Sequence, residues 1–165
     1  MKISKARGFT LIELLVVVAI IGIIAAMAVT NYMSAVQRAR QKRTMADMKT
    51  VAGAWESRAV DVRGYNAAGL TVPLQAISYP QMLLMLAPTY IKQMPQYDGW
   101  NQPLSFTADA AIGSSAQASE YAIRSAGRDG VFSPTYVPGT TTNFDCDIVY
   151  MGGKFVQFPE GAQQN

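Results

Sequence analysis

Histidine is absent and cysteine occurs once, at Cys146. The first absence excludes Ser-His-Asp and Cys-His catalysis and any imidazole metal site. The second excludes an internal disulfide, a zinc cluster and a haem attachment motif. Charge is scarce too: 15% of the 165 residues are Asp, Glu, Lys or Arg, against about 25% in an ordinary soluble domain. There is no P-loop, no G-x-S-x-G elbow, no recognisable pair of carboxylates set for acid–base work, and no internal repeat. The chain reads as a non-enzyme. Apolar residues are plentiful, making up 50% of the chain, and a mass of 17.9 kDa leaves room for one modest core.

A sequence pI near 9.1 raises the question of nucleic acid, and the placement of charge answers it. Lys2, Lys5 and Arg7 alone account for a charge equal to the net +3 of the whole chain. A second basic stretch holds Arg38, Arg40, Lys42, Arg43, Lys49, Arg58 and Arg63 against Asp47, Glu56 and Asp61. From Gly64 onward acidic residues outnumber basic ones. A nucleic-acid binder needs a basic, aromatic-interleaved patch on its folded part, and this part is mildly acidic. No nucleic-acid binding is expected.

The hydropathy comes from the N-terminus. A short basic segment precedes an apolar run from Leu11 to Val29, broken only by Glu13. In a helix such a run reaches about 28 Å, close to the roughly 30 Å hydrocarbon core of a bilayer. A secretory signal peptide has a shorter apolar region of about 7–15 residues, followed by a cleavage site and a polar mature start; Ala25, Ala26 and Ala28 only mimic such a site. A plain membrane anchor gives no reason for Glu13, because a lone carboxylate near the start of an apolar span is costly without a partner.

The segment Lys5-Ala6-Arg7-Gly8-Phe9-Thr10-Leu11-Ile12-Glu13-Leu14-Leu15-Val16 resembles the class III leader of type IV pilins and type II secretion pseudopilins. The resemblance implies cleavage between Gly8 and Phe9 by a prepilin peptidase and N-methylation of Phe9. It also implies use of Glu13 in assembly, where its carboxylate would neutralise the Phe9 amine of a neighbouring subunit. The three leader charges favour a cytoplasmic N-terminus while Arg38 to Arg43 compete; the resemblance decides the orientation. One departure is Thr30, which stands where the family commonly has a proline that loosens the helix. The family's second weak point, Gly22, is present.

Beyond the apolar run, Met45, Met48, Ala52, Trp55, Ala59 and Val62 recur at helical spacing and predict a continuing amphipathic helix, stopped at Gly64. Residues 64–104 read as loop-rich, with turns at 64–69, Val72-Pro73 and Tyr79-Pro80 and a short helix over 81–86. Asp98-Gly99-Trp100-Asn101-Gln102-Pro103-Leu104 resembles the D-x-W-G-N-P segment of the major pseudopilins, with Asn101-Gln102 where Gly-Asn would stand. Trp100 is expected to be a core or loop-anchoring side chain. Strands are predicted over 103–107, 121–125, 147–151 and 154–158, the last two joined by a Gly152-Gly153 hairpin. Residues 133–142 read as a polar loop. The expected fold is α+β, a long N-terminal helix packed on a small antiparallel sheet, the pilin-type lollipop. The expected divisions are a cleaved leader over 1–8, a helix over 9–63 with its membrane or filament-core part at 9–29, and a globular head over 64–165.

Ser125-Ala126-Gly127-Arg128-Asp129-Gly130, followed later by Asp145-Cys146-Asp147-Ile148, resembles the S-x-G-x-D-G … D-x-D-I calcium loop of the major type II secretion pseudopilin. The ligands implied are Asp129, Asp145, Asp147 and the backbone carbonyl of Ala126, in keeping with calcium's demand for six to eight oxygens. Cys146, between two acidic residues, is expected to be an unreactive thiol. On this resemblance the chain is a structural subunit that polymerises through its N-terminal helix into a periplasmic pseudopilus driving type II secretion. The alternative is a subunit of an extracellular type IV pilus. The implied partners are further copies of the chain, prepilin peptidase, an inner-membrane assembly platform and minor pseudopilins. The implied location is the bacterial inner membrane, single-pass, before assembly.

Overall fold

The computed structural model of the chain describes residues 8–65, 75–109, 118–135 and 137–164. Leader positions 1–7, most of the predicted turn at 64–69 and the Val72-Pro73 turn lie outside them. The chain divides into two compact units, Met1–Val36 and Gln37–Asn165, and helix α1 (Leu11–Val62) contributes to both.

In the first unit α1 is apolar on every side. Large apolar side chains from Phe9 to Met33 are all exposed, from 44% at Val17 to 80% at Leu11. The most apolar stretch of the helix has a mean hydropathy of 2.9, and none of it is buried. A single chain offers these side chains no cover, so the surface suits a bilayer or a bundle of like helices. The helix runs unbroken through Gly22 and Thr30. The Thr30 hydroxyl donates back to the Met27 carbonyl at 3.1 Å, a bond that a proline could not make.

In the second unit α1 buries Gln41, Thr44, Met48, Val51, Ala52, Ala54 and Trp55. The predicted apolar stripe holds from Met48 to Trp55. Its ends differ: Met45 is half-buried and Val62 is exposed. Gln41 and Thr44 extend the buried face in the other direction, where a count of apolar residues does not see them. The helix ends at Val62, before Gly64, because Arg63 adopts φ 62° and the Gly64 N–H donates to the Ala59 carbonyl at 2.9 Å. That is a Schellman-type stop with arginine in the left-handed position glycine usually takes.

A six-stranded sheet follows, formed by β1 (Gln75–Ile77), β2 (Ser105–Ala108), β3 (Tyr121–Ser125), β4 (Gly139–Asn143), β5 (Ile148–Met151) and β6 (Lys154–Gln164) in the order β1-β2-β3-β5-β6-β4. A short helix α2 (Tyr79–Leu86) lies between β1 and β2. It starts earlier than predicted, because the Gln81 side chain accepts from the backbone and hydroxyl of Ser78 and so caps the turn containing Pro80. Gly152 and Gly153, at φ 55° and 82°, make the β5–β6 hairpin as expected.

Strand β1 falls in the stretch expected to be loop-rich, and two further strand predictions need correcting. The loop expected over 133–142 contains most of β4, which pairs parallel with β6. β6 itself runs past Pro159 to Gln164. The residues of β4 are polar and largely exposed on both faces, so they carry no alternation to read. The core gathers where α1 meets the sheet. The Trp55 and Tyr121 rings stand 4.8 Å apart by centroid, and the Tyr121 hydroxyl donates to the Glu56 carboxylate. Burial and Glu56 together push the Tyr121 phenol far above its ordinary range.

Candidate functional site

At the N-terminus, Thr10 and Glu13 form a capping box. The Thr10 amide and hydroxyl both donate to Glu13 Oε2 at 2.8 Å, and the Glu13 amide donates to the Thr10 hydroxyl at 3.2 Å. The pattern T-x-x-E was present in the sequence and is the signal for it. Glu13 therefore has a local task, starting the helix, in addition to the role expected of it. Phe9, Ile12, Glu13, Val16 and Val17 share one helix face, so the carboxylate sits in an apolar stripe beside the expected new N-terminus. Gly8 is exposed, and a Cβ there would meet nothing within 4 Å among the described residues.

In the second unit, the Asp98–Gln102 loop latches onto α1. Asp98 is buried, with Oδ1 accepting from the Trp100 and Gln102 amides and Oδ2 from the Ser125 hydroxyl. The Gly99 amide donates to the Thr44 hydroxyl at 2.8 Å, and a Cβ at Gly99 would strike the Arg40 carbonyl oxygen. Trp100 is half-buried and its Nε1 donates to Gln37 Oε1 at 2.6 Å, so it anchors the loop as expected. Asn101 takes φ 65°, a conformation asparagine tolerates better than most residues, which explains how it stands in a glycine position.

The two halves of the expected calcium loop do meet. The Arg128 amide donates to the Phe144 carbonyl at 3.0 Å, and a Cβ on Gly127 (φ 71°) would strike the Cys146 and Phe144 carbonyl oxygens. The groups joining the halves are guanidinium ions. Arg128 holds both oxygens of Asp145, at 2.7 and 2.9 Å, which keeps the Asp145 carboxyl below the usual carboxylate range. Asp147 is fully buried, and its Oδ2 accepts from Arg124 at 2.6 Å and from the Ser133 amide at 3.2 Å. Asp129 Oδ1 accepts from the Val131 amide, closing a turn.

Among the described residues no three acidic or thiol side chains gather as a metal cluster. Within this Arg124–Asp147 pair, Asp147 Oδ1 and Arg124 Nε are buried without a hydrogen-bond partner. Asp129, Asp145, Asp147 and the Ala126 carbonyl thus do not fit calcium as they stand. Arginine already holds the oxygens of Asp145 and one oxygen of Asp147. From the sequence, Arg124 is expected only as a strand residue and Arg128 only as a spacer in the loop pattern. Arg128 stands next to Asp129 in the sequence, whereas Arg124, between Ile123 and Ser125, has no acidic neighbour to signal its pairing.

Residues 3–29 match the family described as the prokaryotic N-terminal methylation motif. The chain is 32% identical over 149 residues to the type II secretion system core protein G of Klebsiella michiganensis, a match covering 85% of this chain and 92% of that protein. It is 30% identical over 130 residues to the protein of that name from Escherichia coli, covering 77% and 85%. The type IV major fimbrial protein FimA of Dichelobacter nodosus is 43% identical, over 58 residues that cover 35% of this chain and 37% of that protein. No solved structure matches significantly. A likeness that extends through the helix and the sheet, and is not confined to the shared leader, places the chain in the type II secretion system core protein G family.

Proposed function

We propose that the chain is a structural subunit that polymerises through the apolar part of α1 into a periplasmic filament serving type II protein secretion. The observation that carries this reading is the unburied apolar run beginning at Phe9, which holds one carboxylate, Glu13, and precedes a head related along most of its length to core protein G. Before assembly the run would span the inner membrane once. Prepilin peptidase, the assembly platform and minor pseudopilins are the partners, and the chain itself catalyses nothing. The pilus alternative is supported by relatives whose similarity covers about a third of the chain, and on that ground it ranks second. Intact mass of the purified protein is expected to start at Phe9 and carry one added methyl group. Gly8→Val should leave the leader attached: a Cβ at Gly8 meets nothing within 4 Å among the described residues, so the obstacle lies in the peptidase's approach to the backbone. A mature start elsewhere would overturn the reading.

The Arg128–Asp145 and Arg124–Asp147 pairs support a further part of it, that guanidinium ions close this loop in place of calcium. The melting temperature is then expected to be equal in millimolar calcium and in chelator. A rise of several degrees with calcium, the signature of a ligand that binds only the folded state, would restore the metal site.

A further inference from the structure

The chain holds two Asp-Gly pairs, Asp98-Gly99 and Asp129-Gly130, and no Asn-Gly. Aspartate before glycine is the pairing most open to self-modification. The glycine nitrogen can attack the aspartate side-chain carbon and close a five-membered succinimide, and glycine has no Cβ to obstruct the ring. The fold treats the two pairs in opposite ways. Asp98 is buried and both its oxygens are held, Oδ1 by the Trp100 and Gln102 amides at 2.8 and 2.9 Å and Oδ2 by the Ser125 hydroxyl at 2.6 Å. The nitrogen that would attack is held as well, since the Gly99 amide donates to the Thr44 hydroxyl at 2.8 Å. Ring closure at Asp98 would have to break these bonds first.

Asp129 is exposed. Among the described residues no cation lies within ion-pair distance of it, because the guanidinium of its neighbour Arg128 is taken by Asp145. Of the three acids in this constellation, arginine holds Asp145 and Asp147, and Asp129 is idle. The Val131 amide donates to Asp129 Oδ1 at 3.0 Å. That bond closes a ring of atoms containing the Gly130 nitrogen, and so keeps the carboxyl carbon near it. No backbone hydrogen bond holds the Gly130 amide among the described residues. Gly130 itself takes φ 71°, and a Cβ there would stand 2.9 Å from the Gln102 carboxamide, so the turn requires glycine at this position.

We propose that Asp129-Gly130 is a modification site at which the folded chain forms isoaspartate on its own. The Gly130 nitrogen bonds to Asp129 Cγ, and a carboxyl hydroxyl leaves with the amide proton as one water. One water then adds back. Added at Cγ it restores aspartate; added at the main-chain carbonyl of Asp129 it leaves the chain running through the side chain, as isoaspartate. Mass is unchanged and no co-reactant is needed. The site depends on neither a membrane nor a filament, so it stands apart from the proposed function. The test ages the full chain in detergent at neutral pH and reads isoaspartate by enzymatic carboxyl methylation and by peptide fragmentation. Reaction at Asp98 waits for its loop to open, and every 1.4 kcal/mol of opening free energy slows it about tenfold, so Asp129 is expected to carry on the order of tenfold more isoaspartate, or a greater excess. In concentrated guanidinium chloride the two sites should converge, because the local sequence alone then governs the rate. Asp129→Glu should lose the signal with an unchanged melting temperature, since glutamate would need a six-membered ring and the side chain is exposed. Asp129→Asn should react faster, ammonia leaving in place of water. Comparable isoaspartate at Asp98 and Asp129 in the folded chain would overturn the proposal, as would isoaspartate at Asp129 only after unfolding. An undiminished signal from Asp129→Glu, or an Asp129→Asn chain that keeps its ammonia, would overturn it too.

Discussion

Glu13→Leu is expected to abolish filaments while leaving processing and membrane insertion intact. The substitution removes the one carboxylate from an otherwise apolar run, so the span itself becomes easier to insert. Assembly loses the group that would meet the amine of a neighbour's Phe9. A buried ammonium left without its partner costs about 3–5 kcal/mol, which is about two to four orders of magnitude in each association step. The capping box complicates this test, because the same variant also loses the bonds to Thr10. Glu13→Gln separates the two effects: glutamine serves in a capping box as well as glutamate does, but it carries no charge. Filament yield measured by shearing and electron microscopy should fall for both variants. Full yield from Glu13→Gln would show that Glu13 acts as a helix cap and that charge pairing is not what drives assembly.

The largest loss of stability is expected from Arg124→Met. The Asp147 side chain has no solvent exposure, and Arg124 is its cationic partner at 2.6 Å. Removing the guanidinium strands a buried carboxylate, at a cost of about 3–5 kcal/mol. For a unit the size of Gln37–Asn165 that corresponds to a fall in melting temperature on the order of 10 °C. The second change Asp147→Leu should recover much of the loss, because replacing both members of a buried pair by apolar groups is often neutral. Thermal unfolding of the detergent-solubilised chain, followed by circular dichroism, measures both variants. A fall of only a degree or two in Arg124→Met would mean that Asp147 finds another partner.

The long helix and its uncovered part were legible because helical periodicity and apolar length are local properties of the chain. So was the Gly152-Gly153 hairpin, whose turn type requires left-handed backbone at two successive positions. Strand β3 was read with its correct bounds, since Tyr121, Ile123 and Ser125 alternate with Ala122 and Arg124. By contrast, β4 has no periodicity of its own and becomes a strand only because β6 offers it a partner. Gln41 and Thr44 are buried for a similar reason: the C-terminal strand and the Asp98 loop supply bonding partners distant in sequence.

The calcium loop separates the two kinds of information most clearly. The resemblance of residues 125–130 and 145–148 to one loop of the pseudopilins implied that they belong to one constellation, and the fold brings them together. Which cation closes it depends on tertiary placement. The guanidinium of Arg128 meets both oxygens of Asp145, and that of Arg124 reaches the buried Asp147 from the neighbouring strand of the sheet. A list of carboxylates in order cannot reveal this, because an arginine satisfies an acidic group through space at a distance that spacing along the chain does not encode. The apolar run with its single carboxylate was the opposite case. Its length and apolarity were complete in the sequence, because they are local properties of the chain, and the structure adds that the run is left uncovered.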